Sequence, residues 1–251
     1  GNKKLSKRDG AKDILAYREE GYLPDAMLNF LASLGWNNGT EQEVFTRDEL
    51  IEKFSLKRVQ KSGARFDEKR LLWLNGAHIR NIPVDKLYNY VSPWDDNPQK
   101  DGGQTGFWPE SAYAPNITKE YRMKVLALAQ DRLKMFEDLR GFGYFFAEPE
   151  INLELIDGNK QLKKLSDSER RELLETARAE LAKLAGWTPE SIQNCLNELL
   201  ETTGQKPGIL FSLIRIAVTW APFSPQLNDT LALIGRERTM ARLQSYLESK
   251  E

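Results

Sequence analysis

The chain has 251 residues, which is enough for one or two domains with substantial hydrophobic cores. Hydrophobic residues make up 40% and charged residues 29%, ordinary values for a soluble globular protein, and the formal net charge is −1. This balance excludes a global field that would draw the chain to nucleic acid, so any such contact must come from local patches. Cys195 and His78 each stand alone, which excludes an internal disulfide and a typical zinc site.

Lys4 and Lys7 flank the hydroxyl of Ser6 near the start of the chain, and Gly10 follows. This pattern favours a loop that clamps a polyphosphate, because ammonium groups follow a phosphate as it develops charge and the hydroxyl adds a donor. Such a loop normally sits on the edge of a nucleotide fold, which three preceding residues cannot contain. We therefore expect the chain to be the downstream part of a longer enzyme.

The pattern of apolar residues, caps and helix stops predicts a mainly helical chain. The first clear helix runs from Pro24 to Leu34, with proline in its first turn and Gly35 as its stop. Its apolar face is predicted to consist of Ala26, Leu28, Phe30, Leu31 and Leu34. Further helices are predicted at Thr46–Phe54, Asp67–Asn75 (ended by Gly76), Pro83–Val91, Thr118–Arg140, Ser166–Ala185, Thr188–Leu200, Pro207–Ala221, Asp229–Ile234 and Arg236–Ser249. No strand-and-turn rhythm follows residue 118.

Two stretches differ from the helical background. Residues 92–118 are punctuated by proline and glycine, which excludes a long regular element and predicts a boundary between domains. Residues 57–80 are basic, with seven lysines and arginines against Asp67 and Glu68. By itself the basic stretch is more typical of a solvated helix face than of a phosphate-binding patch. Cys195 lies at helical spacing among apolar residues and is predicted to be a small core residue.

Three segments, in this order and spacing, closely resemble bacterial-type glutamyl-tRNA synthetases: the Lys-Leu-Ser-Lys-Arg loop at 4–8, the stretch from Ile14 to Trp36, and the stretch at 66–75. The resemblance runs to about residue 80 and resumes more loosely from about residue 121, being strongest at 207–243. It implies a mainly α fold from which the Rossmann-type catalytic domain is absent. The implied domains are a signature-loop remnant at 1–10, a stem-contact domain at 11–91, a linker at 92–118 and a helical anticodon-binding region at 119–251, whose further division into 119–185 and 186–251 is left open.

The family activates glutamate with ATP and Mg and then transfers it to tRNA. By resemblance, Lys7 would hold the polyphosphate in the transition state, with Lys4 and Ser6 supporting the closed loop. The family's other signature, a His-x-Gly-His type sequence that grips ATP, is absent, since His78 has no partner. We therefore expect no complete catalytic site, no metal site and no bound cofactor in this chain, and no activity from the chain alone.

The resemblance implies tRNA(Glu) as the partner of a monomer in the bacterial cytoplasm, an organellar matrix being the alternative. No DNA or membrane partner is expected, and whether tRNA(Gln) is also accepted stays open. Stem contacts are predicted at Lys57, Arg58, Lys61 and Arg65. Anticodon contacts are predicted at Arg215, Thr219, Trp220 (where relatives often have glycine), Arg236, Arg238 and Arg242. Each of these arginines has an equally favoured alternative, a charge on a helix face that pairs with a nearby glutamate. Trp73 is predicted to lie in the core.

A helical protein-interaction module with no RNA role is the alternative of a different class. The related enzyme that glutamylates a modified tRNA base is disfavoured, because that family lacks a helical anticodon-binding region. A glutaminyl enzyme is disfavoured as well, because its anticodon-binding part is built of β-barrels.

Overall fold

The computed structural model describes residues 12–60, 65–92 and 106–249. Within these ranges the chain is helical, and an antiparallel bridge between Trp36 and Val59 is the one strand-like pairing. The α-helices are α1 (Ile14–Glu20), α2 (Pro24–Ser33), α3 (Arg47–Lys53), α4 (Glu68–Arg80), α5 (Val84–Val91), α6 (Lys119–Ala129), α7 (Glu154–Asp157), α8 (Asp167–Ala182), α9 (Pro189–Thr203), α10 (Pro207–Thr219), α11 (Leu227–Ile234) and α12 (Arg236–Glu248). Short 3-10 helices lie at Leu56–Arg58, Glu110–Tyr113, Gln130–Arg132, Phe136–Phe145 and Leu162–Lys164. The mainly α prediction is confirmed.

Several helices begin where a side chain satisfies a backbone amide that the helix leaves unpaired. The backbone N–H of Glu49 donates to the Thr46 hydroxyl (3.2 Å), and the Glu49 carboxylate accepts from the backbone of Thr46 (2.8 Å). Ser166 and Glu169 repeat this capping box at the start of α8. Because caps need only local residues, these helix starts could be predicted from the sequence.

The described residues form two compact units. The first takes in the described residues up to Pro109 together with Gln130–Arg140, and the second takes in Glu110–Ala129 and the residues from Gly141 onward. The stem-contact and linker roles of residues 11–118 stay predictions. No helix among the described residues is long and apolar enough to cross a membrane.

The core of the first unit lies where α1, α2 and α4 meet. Its central side chains are those of Tyr17, Met27, Phe30, Leu71 and Leu74. The face predicted for α2 is partly wrong, because Leu28 and Leu31 are 43% and 50% exposed. The buried positions instead follow the helical spacing 23, 26, 27, 30, which places residues 28 and 31 on the outer side. Both leucines line a surface groove beside α1.

The sequence pattern predicts that a helix stops at Gly76. This prediction is wrong, because α4 continues to Arg80. A Cβ on Gly76 would lie 3.2 Å from the carbonyl oxygen of Leu133, so glycine here allows a close approach of backbones. The neighbouring side chain of Asn75 secures this approach by donating to the carbonyl of Lys134 (2.6 Å) and accepting from the amide of Leu23 (2.9 Å). The glycine therefore serves packing rather than termination.

The helix predicted at 118–140 is correct at its start but too long, since α6 runs from Lys119 and ends at Ala129. The next residue, Gln130, donates through its side-chain amide to the carbonyls of Ile79 (2.8 Å) and Ile82 (2.7 Å). A little further on, the carboxylate of Asp138 accepts from the backbone amides of residues 134 and 135. These side-chain bonds replace helical hydrogen bonds and break the helix where its apolar spacing is still regular.

In the second unit α10 is the most apolar helix and packs against α8, α9 and α12. α11 packs against α6, α9 and α12. Cys195 on α9 is buried, as predicted. α10 ends at Trp220, whose φ of 45° lies in the left-handed region, and the Trp220 amide donates to the carbonyl of Ile216 (2.8 Å).

Candidate RNA-binding residues

The described cations that were predicted to contact a tRNA stem lie on the surface of the first unit. Lys57 and Arg58 are exposed on the 3-10 turn, and Arg65 is exposed ahead of α4. Arg58 donates to the backbone carbonyl of Asn38, which fixes the direction of its side chain. Within the described ranges Lys57 and Arg65 make no ion pair, so both charges are available to a phosphate.

Four further predicted site residues lie outside the described residues: Lys61 of the basic stretch, and Lys4, Ser6 and Lys7 of the signature loop. Where the structure does describe the chain, no group of histidine, cysteine, aspartate and glutamate is arranged to hold a metal ion.

His78 takes a structural role in the first unit. Its Nε2 lies 3.0 Å from Oδ1 of Asn29, which makes Nε2 the protonated nitrogen of the ring, because an amide oxygen can only accept. The same Asn29 oxygen accepts from the amide of Phe45 (2.8 Å), and the Asn29 amide group donates to the carbonyl of Glu43 (3.2 Å). Burial lowers the pKa of His78, which keeps the ring neutral.

Trp73 is 48% exposed, so its predicted place in the core is wrong. α4 turns Leu71, Leu74 and Ile79 inward, and position 73 falls outside this stripe. Because residues 71–74 are all apolar, the sequence alone could not show which of them faces solvent.

Three of the predicted anticodon residues gather at the end of α10. The Thr219 hydroxyl donates to the carbonyl of Arg215 (2.8 Å) and accepts from the amide of Ala221 (3.2 Å). Thr219 is only 1% exposed. Trp220 is 9% exposed and its ring stacks on that of Tyr246, with centroids 5.6 Å apart. Arg215 is half-buried, and its Nε donates to the hydroxyl of Ser224 (2.9 Å). Of the three, only Arg215 keeps appreciable surface.

Arg238 and Arg242 together hold the turn at residues 144–148. Arg242 is 3% exposed and donates to the carbonyls of Tyr144 and Ala147 (both 2.9 Å) and of Val218 (3.0 Å). Arg238, more exposed, donates to the carbonyls of residues 144, 145 and 147.

Both guanidinium groups also pair with the carboxylate of Glu148, at 2.9 Å and 2.8 Å. The hydrogen bond from Arg242 lowers the pKa of Glu148, and burial lowers the pKa of Arg242. The surroundings of Arg242 are thus those of a structural clamp, in which one buried cation satisfies the buried carbonyls of Tyr144 and Val218.

Arg236 lies apart from these two groups. Its guanidinium sits 5.3 Å from the ring centroid of Trp187, and it donates to the carbonyl of Leu184. The indole N–H of Trp187 donates to the carbonyl of Leu231 (2.9 Å), which anchors the ring. Both residues remain partly exposed, so this cation–π pair leaves surface to which a planar base could bind.

Sequence reasoning did not single out Phe223, Ser224 or Glu148. The prolines of the Pro-Phe-Ser-Pro sequence at 222–225 were the available signal, because each proline fixes its own φ and restricts the residue before it, which stiffens the segment that carries the aromatic residue. Glu148 offered no signal, since only tertiary structure brings it to two arginines some 90 residues away along the chain.

Two family models match the sequence. The anticodon binding domain model covers residues 86–247, and the model of the class I (E and Q) tRNA synthetase catalytic domain covers residues 1–73. Since the first match takes in more than half of the chain, the chain belongs to the anticodon binding domain family of tRNA synthetases, and it carries the end of a class I catalytic domain in front of that domain.

The particular similarity is to glutamate–tRNA ligases. Glutamate–tRNA ligase 1 of Acidithiobacillus ferrooxidans is 36% identical over 241 residues, covering 96% of this chain and 48% of that protein. The corresponding protein of Alkalilimnicola ehrlichii is 34% identical over 246 residues, covering 98% of this chain and 48% of that protein.

A crystal structure of a glutamate tRNA ligase from Elizabethkingia meningosepticum matches with a TM-score of 0.72 at 25% identity, covering 99% of this chain and 49% of that one. The chain thus spans about half the length of the curated relatives it matches and resembles their C-terminal portion. The predicted resemblance to bacterial-type glutamyl-tRNA synthetases is confirmed.

Proposed function

We propose that this chain is the tRNA-recognition portion of a glutamate–tRNA ligase, contacting the stem of tRNA(Glu) through its first unit and the anticodon through its second. The observation that carries the proposal is the match of the anticodon binding domain model to residues 86–247. The exposed cations of residues 57–65 support the stem contact, because phosphate contacts position a nucleic acid without reading its sequence.

For the stem we assign phosphate contacts to Lys57, Arg58, Lys61 and Arg65. Lys57 and Arg65 are the stronger members, since neither is engaged in an ion pair within the described residues and each can neutralise a phosphate at no cost in broken protein contacts.

For the anticodon we assign direct contacts to Arg215 and Arg236, which are only partly buried. Thr219, Trp220 and Arg242 are almost fully buried and Arg238 is bonded to three carbonyls, so we propose that these four shape the surface on which the RNA rests. Arginine suits the direct role because its planar group both stacks on bases and donates to their edges.

In the whole ligase, ATP with Mg would be bound at the signature loop, with Lys7 on the polyphosphate and Lys4 and Ser6 supporting the closed loop. The glutamate carboxylate would attack the α-phosphate, and stabilisation of phosphate charge would carry most of that step. Most of the catalytic domain found in the relatives has no counterpart in this chain, which matches that domain's model only over residues 1–73. We propose that the chain by itself binds tRNA and forms no adenylate, so that it gives no signal in pyrophosphate exchange.

The test is a fluorescence anisotropy titration of the chain against labelled tRNA(Glu) at several salt concentrations, alongside a tRNA with a substituted anticodon. Between about 50 and about 200 mM salt the affinity should fall steeply, as expected when phosphates release counterions. Lys57→Ala and Arg65→Ala should each flatten the log–log salt slope by about one, without changing the preference between the two tRNAs. Arg47→Ala is the matched control, because Arg47 is equally a surface cation of the first unit but is paired with Asp25 at 2.6 Å.

Loss of affinity with the altered anticodon supports the assignment of the second unit. Salt-dependent binding that ignores the anticodon would leave only the stem contact standing. Absence of tRNA binding at low salt would refute the proposal and favour a helical protein-interaction module.

A further inference from the structure

Phe223 is the most exposed aromatic side chain among the described residues of the second unit, with 51% of its surface accessible. The other aromatic residues of that unit are buried or half-buried. Isolated exposed apolar residues are common on protein surfaces and need no function. What distinguishes Phe223 is how firmly its ring is held and what lies beside it.

The ring of Phe223 is supported from below and its backbone is restricted on both sides. It meets the fully buried ring of Phe142 edge to face, with centroids 6.2 Å apart and planes at 75°. Gly141 lies directly underneath, since a Cβ there would be 3.7 Å from the tip of the Phe223 ring. Pro222 and Pro225 limit the backbone on either side. An aromatic face held this way loses little conformational entropy when a ligand stacks on it.

The residue next to Phe223 ties it to the proposed anticodon arginine. The hydroxyl of Ser224 accepts from Nε of Arg215 (2.9 Å) and donates to the carbonyl of Pro225 (2.9 Å), and the hydroxyl of Thr230 approaches it at 3.5 Å. Ser224 itself is buried, so this small network fixes the loop relative to the end of α10. The exposed ring of Phe223 and the partly exposed side chain of Arg215 thus lie on neighbouring segments that are joined through Ser224.

We propose that Phe223 is a stacking platform for one unpaired nucleobase of a bound RNA loop, with Arg215 beside it supplying charge and edge contacts. This inference rests on the proposed function and adds to it a recognition residue. Every base has a flat π-face, so a phenylalanine ring accepts any of them by stacking, while an arginine donates to base edges or phosphates. Phe223 thus contributes affinity, and the choice of base comes from its polar neighbours.

The test uses the whole 251-residue chain and a labelled anticodon stem-loop of tRNA(Glu). Phe223→Ala should weaken binding about tenfold to a hundredfold, in keeping with the loss of one stacked base. Phe223→Leu keeps apolar bulk against Phe142 but has no aromatic face, and it should weaken binding nearly as much. Phe223→Tyr should bind like the unchanged chain. Phe54→Ala is the control, because Phe54 is also an exposed phenylalanine (44%) but belongs to the first unit.

A spectroscopic readout separates stacking from general weakening. 2-Aminopurine placed at each anticodon position in turn should be quenched at one position on binding, and Phe223→Leu should abolish that quench at saturating protein. If the unchanged chain binds the stem-loop but Phe223→Leu and Phe223→Ala bind and quench equally well, the stacking inference is wrong while the proposed function stands. If the unchanged chain binds neither the stem-loop nor the whole tRNA, the proposed function fails and this inference falls with it.

Discussion

Two features of Trp220 affect the stability of the chain in opposite directions: its strained backbone and its buried ring. Its left-handed backbone, with φ of 45° and ψ of 38°, costs a residue with a side chain about 1–2 kcal/mol, a strain that glycine avoids. The residue is only 9% exposed and its ring stacks on that of Tyr246, and removing a large buried aromatic side chain costs about 3–5 kcal/mol. Burial therefore outweighs strain, and both Trp220→Ala and Trp220→Gly should destabilise the chain.

The comparison of these two variants isolates the backbone effect. Both variants lose the same ring, but only glycine relieves the left-handed strain. Part of this gain is offset, because the greater entropy of the unfolded glycine variant lowers its stability by about 0.4–1 kcal/mol. We expect Trp220→Gly to be more stable than Trp220→Ala by about 0.5–1 kcal/mol, and less stable than the unchanged chain by about 2–4 kcal/mol.

Urea unfolding followed by circular dichroism measures both differences, provided that the three proteins share one m-value. If Trp220→Ala proves the more stable of the two variants, the left-handed helix end is not adopted in solution. If Trp220→Gly matches or exceeds the unchanged chain, the stack on Tyr246 contributes nothing and the ordering of the two effects is wrong.

Three further substitutions test the Arg242–Glu148 clamp and the buried ring of His78. Arg242→Met should lower the free energy of unfolding by about 3–5 kcal/mol, because it leaves buried carbonyls without a donor. Glu148→Gln should lower it by less than about 1 kcal/mol, because that carboxylate is largely exposed. Equal losses for the two variants would contradict the clamp. For His78, burial lowers the folded-state pKa, so the unfolded chain binds the extra proton first and stability should fall as the pH drops below about 6.5. His78→Gln should remove this slope below about pH 6.5, and an unchanged slope in thermal melts of the variant would show that His78 does not cause it.

The parts of the fold that could be predicted depend on short-range chemistry. Thr46 and Ser166 cap helices through amides only three residues away, and α2, α9 and α10 each carry a proline in the first turn. The errors arose where distant backbone intervened. Gly76 has the local pattern of a helix stop, yet it permits close contact with the backbone of residue 133. Gln130 follows a regular apolar stripe, yet its side chain bonds to carbonyls about 50 residues earlier and the helix ends before it.

The candidate site divides in the same way. The family, the helical class and the pool of arginines were accessible from motif and spacing. Which arginine faces solvent was not, because Arg238 and Arg242 lie one helical turn apart in the sequence and yet differ in burial. Hydrophobic periodicity predicts that a residue lies in a helix, but it does not show which face of that helix is covered by another segment.

By itself, then, the sequence determined that this chain is helical, where most helices begin, and that it resembles the tRNA-binding part of a glutamate–tRNA ligase. Only the tertiary structure decided that Arg242 holds a turn, that Trp220 is buried in a strained conformation and that Phe223 presents its ring to solvent. The physical reason is the distance along the chain over which each interaction acts. Caps and motifs act through neighbouring residues. Burial and the choice of hydrogen-bond partners depend on groups such as Glu148 and Phe142, which folding brings from 80 or more residues away.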